Sequence, residues 1–274
     1  CVSSSGGQMR INALPAALTV VVLLSACAAP RVATPAPARG IPGFDTRDYP
    51  GDAAMRAWFG PSPYRWVGYY LPGPCYTGTT WTGRRGALRD IGWGFAVLFV
   101  GEQDWRAMPG AAADTAVAEP RCSSVHLTPE RGRLHAGEAS SSASADGFPD
   151  GTVIFLDVER VQSVSPELAA YVRAWVSGLL GGDRYVPGLY AHDINVEELY
   201  AIVAEEFGAH GRTDRAPLWV ARSSGFDVRS APGESGYAAA LIWQGILNTR
   251  EEWNGTELNI DVNVSASADP SRGR

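Results

Sequence analysis

Two acidic residues, Asp157 and Glu159, end an apolar run in the stretch GTVIFLDVER at residues 151–160. The run is rich in β-branched and aromatic residues, which is typical of a strand buried on both faces. Residues two apart on a strand point to the same side, so the two carboxylates should lie about 6–7 Å apart on one face. Charges in such a place are costly without a purpose. The spacing therefore predicts a carboxylate pair for acid–base chemistry, with a structural ion network involving Arg222 as the alternative.

The elements that must position this pair alternate along the chain. Short apolar segments predict eight strands, at residues 43–45, 66–70, 95–100, 153–158, 186–190, 218–221, 241–244 and 260–263. Helical patterns lie between several of them, at residues 52–59, 83–91, 134–145, 165–180 and 193–209. This order predicts a (β/α)8 barrel of the TIM type over residues 41–266, followed by a disordered tail over 267–274. The connections after Ala221 and Gln244 look loop-like, so one or two helices should be missing.

Functional side chains of such a barrel lie at the carboxyl ends of the strands. Besides Asp157 and Glu159, the predicted ends carry acidic, aromatic and amide side chains, namely Asp45, Tyr69, Tyr190, Trp219, Arg222, Trp243, Gln244, Asp261 and Asn263. Aromatic faces stack on pyranose rings while carboxylates perform the acid–base steps, so this set predicts a sugar site. For the two further aspartates the alternative is a turn-capping role, and for Tyr190 and the tryptophans it is an ordinary core position.

The composition argues against several partners. The 274 residues carry a formal net charge of −6 and include no lysine, which leaves no basic surface for nucleic acid. The four histidines stand at no metal-ligand spacing, and no CxxC or dinucleotide-binding glycine motif occurs. We therefore expect no metal, no cofactor and no nucleic-acid partner, and we expect a monomer.

The first 40 residues have the pattern of an export leader. From Met9, the predicted start, a basic residue precedes an apolar stretch at residues 16–24, which is typical of a secretory signal peptide and too short for a membrane span. Leu-Ser-Ala-Cys, ending at Cys27, resembles the lipobox of bacterial lipoproteins. We therefore predict a signal peptide over residues 1–26, a lipidated Cys27 and a flexible tether over residues 27–40 that anchors the exported protein to a membrane of the cell envelope. Plain secretion is the alternative.

Cys75 and Cys122 are the cysteines that remain once Cys1 and Cys27 are assigned to the leader. In an oxidising compartment a solitary pair usually forms a bridge, so we predict a Cys75–Cys122 disulfide. Residues 101–133 show no clear period. We interpret them as an insertion over one barrel mouth, which the disulfide pins to the loop that carries Cys75.

Six motifs stand in an order that matches a known family, namely GFDT at Gly43, FLDVE at Phe155, GLYA at Gly188, LWVAR at Leu218, IWQG at Ile242 and IDVNV at Ile260. They resemble the strand ends of glycoside hydrolase family 25 lysozymes and, more closely, the glycoside-hydrolase-like domain of unknown function 1906 of exported bacterial proteins. The resemblance covers about residues 40–265. It implies that Glu159 is the proton donor, that Asp157 steers or stabilises a substrate acetamido group, and that Asp45 and Asp261 match the first- and last-strand aspartates.

The resemblance implies a hydrolase of an N-acetylated cell-wall glycan of the peptidoglycan type, with Glu159 as general acid/base. That role needs a carboxyl that holds a proton near neutral pH, which burial and the charge of Asp157 would favour. The chain departs from the lysozymes at GYYLPGPC, which ends the second strand, and at residues 100–105, so its substrate groove should differ. Retaining, inverting and substrate-assisted routes stay open, and the alternative function is a non-catalytic domain that binds cell-wall glycan or peptide.

Overall fold

The computed structural model describes Gly6 and residues 39–109 and 122–272. The predicted signal peptide, Cys27 and nearly all of the tether lie outside the described residues. The chain divides into two units, Cys1–Ala36 and Pro37–Arg274, and the strands and helices of the described residues belong to the second unit. Within the described part, no helix combines the length and the apolar character that crossing a membrane requires.

Eight strands in the described ranges close into a barrel in sequence order. They are β1 (Ile41–Asp45), β2 (Trp66–Leu71), β3 (Gly94–Val100), β4 (Val153–Asp157), β5 (Val186–His192), β6 (Leu218–Ala221), β7 (Ala240–Trp253) and β8 (Thr256–Ser265). Strands β1 to β7 pair with one another in parallel. Strand β8 closes the barrel by pairing antiparallel with both β7 and β1. The predicted TIM-type barrel is confirmed, with one strand reversed.

Five α-helices among the described residues follow the first five strands. They are α1 (Asp52–Trp58), α2 (Arg85–Ile91), α3 (Pro129–Ala145), α4 (Pro166–Gly181) and α5 (Val196–Ala209). The helices α3 and α4 begin alike, because Thr128 and Ser165 cap them through side-chain oxygens and a proline follows in the first turn. The described segment between β6 and β7 holds a short 3-10 turn instead of an α-helix, and β7 passes directly into β8. Helices are therefore missing where the sequence predicts loops.

The reversed strand results from a tight hairpin turn. Asn254 and Gly255, with φ angles of 50° and 73°, join β7 to β8, and a two-residue turn of this kind can connect only antiparallel strands. The predicted strands 241–244 and 260–263 are thus parts of one long hairpin arm. Trp58 Nε1 donates to Thr256 O at 2.9 Å, which holds the arm against the side of α1.

The barrel interior is filled by large side chains below the carboxyl-end rim. Trp219 lies among Trp66, Phe155 and Tyr190, with edge-on ring contacts of 5.9, 5.7 and 5.4 Å between centroids. All four side chains are buried. The interior is therefore a packed core, and open space for a ligand begins above it, at the rim.

The predicted disulfide is confirmed. Cys75, after β2, is bonded to Cys122, with 4.8 Å between the two Cα atoms. A hydrogen bond from Ser123 N to Glu102 Oε2 at 2.9 Å ties the Cys122 segment to the loop that follows β3 as well. The middle of the predicted insertion, residues 110–121, lies outside the described residues, and its last part begins α3 five residues earlier than the sequence predicts.

The disordered tail predicted from residue 267 is wrong for residues 267–272. Ser271 Oγ accepts from Val97 N at 2.8 Å, and Asp269 Oδ1 accepts from Phe95 N at 2.9 Å. Ser271 O also accepts from Val153 N. These bonds satisfy backbone N–H groups of β3 and of the first residue of β4. The polar segment 267–272 is held in place because it supplies their acceptors. Residues 273 and 274, the end of the predicted tail, lie outside the described residues.

Candidate active site

Asp45 is the buried end of β1 and the centre of a hydrogen-bond network. Its Oδ1 accepts from Tyr70 OH at 2.7 Å, and its Oδ2 accepts from Gln244 Nε2 at 2.9 Å and from Asn263 Nδ2 at 2.8 Å. Burial, followed by the charge of Asp261 on the neighbouring strand, raises the pKa of Asp45 to about 7, against the lowering effect of its three donors. The network therefore fixes a carboxyl whose proton is exchangeable near neutral pH.

Asp261 reaches this rim although its strand runs in the opposite direction. It pairs with Asp45 in the register between β1 and β8. Its Oδ1 accepts from Asn248 N at 2.6 Å, in the hairpin arm. Burial and then the charge of Glu159 raise its pKa, with the Asn248 bond opposing them. The last-strand aspartate thus stands beside the first-strand one, as the motif order implies.

The backbone around Asp157 and Glu159 is held by amide side chains from neighbouring loops. The strand β4 ends at Asp157, so Glu159 lies in the loop beyond it. Buried Gln103 donates from Nε2 to Asp157 O at 2.8 Å and accepts through Oε1 from Glu159 N at 3.0 Å. Asn195 Nδ2 donates to Glu159 O at 2.9 Å. This clamp, rather than the pleat of a strand, sets the separation of the two acids.

The two acids differ in environment. Asp157 is 6% exposed, and its Oδ1 has no hydrogen-bond partner within the described part of the chain. Burial, then the charges of Glu159 and Asp45, raises the pKa of Asp157 well above its usual value. The Glu159 side chain is 44% exposed, with Oε2 lying 3.4 Å from His192 Nε2. The expectation that both acids are buried on one strand is therefore wrong for Glu159, because the strand ends two residues before it.

Replacing Asp157 with Asn should stabilise the fold at neutral pH. The folded pKa lies above the unfolded value, so the native state binds the extra proton, and the free energy of unfolding falls as pH rises between the two values. Asn stays neutral at every pH, so the variant should be more stable than the wild type above that window and equally stable below it. Thermal unfolding at about pH 3 and about pH 8 measures this, with exposed Asp90→Asn as the control; an equal effect at both pH values contradicts it.

The four acids face one cavity of about 370 Å³. Asp45, Asp157, Glu159 and Asp261 line it together with Tyr70, and the hairpin arm contributes the amides of Asn248 and Asn259 to its wall. Arg47 is the one cationic side chain among the described lining residues. The arrangement can hold a polar ligand of about sugar size between carboxyl groups of unlike environment, which suits proton donation and charge stabilisation.

Two predicted ligand-binding residues lie inside the barrel, at the floor of the site. Tyr190 OH donates to Gln244 Oε1 at 2.7 Å, and Trp219 Nε1 donates to Asn263 Oδ1 at 3.0 Å. Gln244 and Asn263 in turn donate to Asp45. Tyr190 and Trp219 therefore support the network from below, and Trp219 is fully buried in the barrel core.

Three predicted ligand-binding residues are not among those that line this cavity. Tyr69 points to the outer face of β2, where its OH lies 2.6 Å from Trp81 O and 2.8 Å from Asp146 Oδ2, either of which can accept its one proton. Trp243 likewise points outward, and its Nε1 donates to Arg222 O at 2.7 Å. The guanidinium of Arg222 donates to Ser235 O. Strand alternation explains the first two, since neighbouring residues on a strand face opposite sides.

Residues outside the predicted ligand-binding set complete the site. Tyr70 takes the position predicted for Tyr69, and its alternation with Trp66, which faces the interior, is the signal that identifies it. His192 continues the inward pattern of β5 two residues after Tyr190. Gln103 and Asn195 stand in loops, where no period indicates which way a side chain points.

Comparison with known proteins gives one family. The profile of the family described as "Rv2525c-like, glycoside hydrolase-like domain" matches residues 56–265. No curated protein matches the chain.

Several solved structures have a similar fold. An uncharacterized B. stearothermophilus protein is 18% identical, with 82% of this chain and 96% of that chain covered and a TM-score of 0.51. The Clostridium perfringens spore cortex lytic enzyme SleM is 14% identical, with coverage of 85% and 69% and a TM-score of 0.55. The Streptococcus pneumoniae virulence factor GHIP, a glycosyl hydrolase 25, is 14% identical, with coverage of 82% and 86% and a TM-score of 0.52. At these identities the likeness shows the fold alone.

Proposed function

The chain belongs to the Rv2525c-like, glycoside hydrolase-like domain family, and on that premise we propose that it hydrolyses an N-acetylated cell-wall glycan of the peptidoglycan type. The observation that carries the proposal is the convergence of Asp45, Asp157, Glu159 and Asp261 on one cavity at the barrel rim. A structural ion network would pair such acids with cations, yet the described lining offers them Arg47 alone. The similarly folded SleM is described as a spore cortex lytic enzyme, which supports a cell-wall substrate.

Glu159 is the proposed general acid. Its side chain is half-exposed and can reach a leaving glycosidic oxygen, while Gln103 and Asn195 hold its backbone. As the glycosidic bond breaks, Glu159 gives its proton to the leaving oxygen, and its carboxylate then takes a proton from the water that completes hydrolysis. His192, 3.4 Å from Oε2, orients the carboxyl between these steps.

Asp157 is the proposed partner in a substrate-assisted route. Asp157 lines the same cavity as Glu159 and is more deeply buried, and its Oδ1 has no hydrogen-bond partner among the described residues. From there it can hold the acetamido group so that the carbonyl oxygen of that group attacks the anomeric carbon. Asp45 and Asp261 flank the reacting sugar. Tyr70 and Gln244 donate hydrogen bonds to Asp45 and hold its carboxyl group in place.

The direct test is release of reducing ends from purified cell-wall material. We expect the mature protein to release them and to bind the same material in a pull-down assay. Binding of the wall without cleavage across a broad panel of N-acetylated glycans would contradict hydrolysis and favour the non-catalytic binding domain.

The proposed site of action is the outer face of a membrane of the cell envelope, with a lipid on Cys27. Replacing Cys27 with Ala removes the thiol that would be acylated, so the protein should leave the membrane fraction or remain unprocessed. Fractionation followed by mass measurement of the mature N-terminus checks this. Cys1→Ala is the matched control and should change nothing. An unchanged membrane fraction for Cys27→Ala would overturn the anchor.

A further inference from the structure

A second, larger cavity lies on the flank of the barrel. It measures about 900 Å³ and runs between residues 72–79, which follow β2, and one face of helix α3. We call it the flank groove. The proposed catalytic acids do not line it, so the hydrolysis proposed above leaves this groove without a role.

The flank groove and the active-site cavity share a wall. Gly73 lines the groove, and a Cβ added to it would lie 2.7 Å from the carbonyl oxygen of Val100, which lines the active-site cavity. Arg47, which lines the active-site cavity, places its guanidinium 5.3 Å from the ring centroid of Tyr76, whose backbone is hydrogen-bonded to Gly73. The two cavities are therefore neighbours along Gly73 and Val100.

The groove presents cationic and imidazole groups. Arg131 lines it, and no residue in the described part of the chain forms an ion pair with its guanidinium. His126 also lines it, with Nδ1 lying 3.5 Å from Oε1 of buried Glu102. His135 lines the groove as well, and burial, then the charges of Arg131 and His126, lowers its pKa to about 4.

The rest of the lining suits a short peptide. Pro72, Pro74 and Leu134 offer apolar surface for small side chains, and Ser141 and Ser142 offer hydroxyls to backbone groups. Glu138 lies seven residues from Arg131, two turns along the same helix, so the groove has a cationic and an anionic end. A ligand with a carboxylate and an amino group several residues apart matches both ends.

We propose that the flank groove binds the peptide substituent of the glycan, with Arg131 pairing with a peptide carboxylate. This inference rests on the proposed function, because it takes the sugar to lie in the active-site cavity. The groove then selects peptide-bearing, peptidoglycan-type strands over neutral N-acetylated glycans such as chitin fragments. Arg131 is a specificity-determining residue and takes no part in bond cleavage.

The test compares binding of two probes that differ only in the peptide. One is the disaccharide of N-acetylglucosamine and N-acetylmuramic acid, and the other is the same disaccharide with its tetrapeptide. Calorimetry on the full mature chain carrying Glu159→Gln, which suppresses turnover, gives both dissociation constants. We expect the peptide-bearing probe to have the lower dissociation constant. We expect Arg131→Gln to raise the dissociation constant of that probe by about 5- to 10-fold, as for the loss of one partly exposed charge-assisted hydrogen bond.

The matched control is Arg133→Gln. Arg133 lies on the same helix but pairs with Glu130 on the surface, so its replacement should change neither constant. Equal affinities for the two probes, or an equal loss for Arg131→Gln with both probes, would overturn the groove assignment while leaving glycan binding intact. A third outcome separates the two proposals. If the free tetrapeptide binds in an Arg131-dependent way and the disaccharide adds nothing to its affinity, the groove assignment stands and the proposed glycan function fails.

Discussion

Replacing Glu159 with Gln should lower the rate of glycan cleavage by roughly 10²–10⁴-fold, the usual contribution of a general acid. Gln keeps the size of the side chain and its reach into the cavity, but it has no proton to give. The backbone hydrogen bonds to Gln103 and Asn195 involve main-chain atoms of residue 159 and survive the change. Glycan binding should therefore remain within about twofold of the wild type, because the loss falls on the chemical step.

The measurement is the rate of reducing-end release at saturating glycan, together with the dissociation constant. The matched control is Glu167→Gln, which changes an exposed glutamate in the first turn of α4, away from the cavity. Wild-type cleavage by the Glu159 variant would assign the proton to another acid, of which buried Asp157 is the first candidate. Unchanged binding with no cleavage by either protein would favour the binding-domain alternative.

Much of the barrel could be predicted from the sequence because its strands are short apolar runs. In a strand, successive side chains point to opposite faces, so the pattern repeats every two residues. The same period identifies inward residues such as Asp45 and Asp157. It also shows why Tyr70, and not Tyr69, is the tyrosine of β2 that faces the interior. The acids at strand ends converge because parallel strands end at one rim.

The clamp on Asp157 and Glu159 could not be predicted in the same way. Gln103 lies in a loop 54 residues before Asp157, and only the closed sheet brings the two together. The position of Asp261 is a similar case. It sits at the rim on a reversed strand, and that reversal depends on a two-residue turn at Asn254 rather than on any pattern near the aspartate. Loop contacts are tertiary properties that local periodicity does not contain, whereas the direction of β8 follows from a local turn signal, Asn254-Gly255, that lies several residues from the aspartate.

Removing the Cys75–Cys122 disulfide by replacing both cysteines with Ser should lower the free energy of unfolding by about 4 kcal/mol. The bond closes a loop between residues 47 apart in sequence, and the chain-entropy estimate for a loop of that length gives this value. Urea unfolding of the variant and of the wild type measures the change. Wild-type protein treated with a thiol reductant should approach the variant, and the variant itself should be indifferent to the reductant, which serves as the control.

The same double replacement should reduce glycan cleavage at urea concentrations where the barrel is still folded. Beside Cys122, Ser123 N donates to Glu102 and Ser124 Oγ donates to Gln103 O at 3.4 Å, so the disulfide helps to hold the segment whose Gln103 side chain clamps Asp157 and Glu159. Freeing that segment should loosen the separation of the two acids before any strand of the barrel is lost. Cleavage and far-UV circular dichroism, followed through the same urea series, should therefore separate in the variant and coincide in the wild type. If the two signals coincide in both proteins, the clamp is held by the barrel alone, and the disulfide contributes stability without shaping the site.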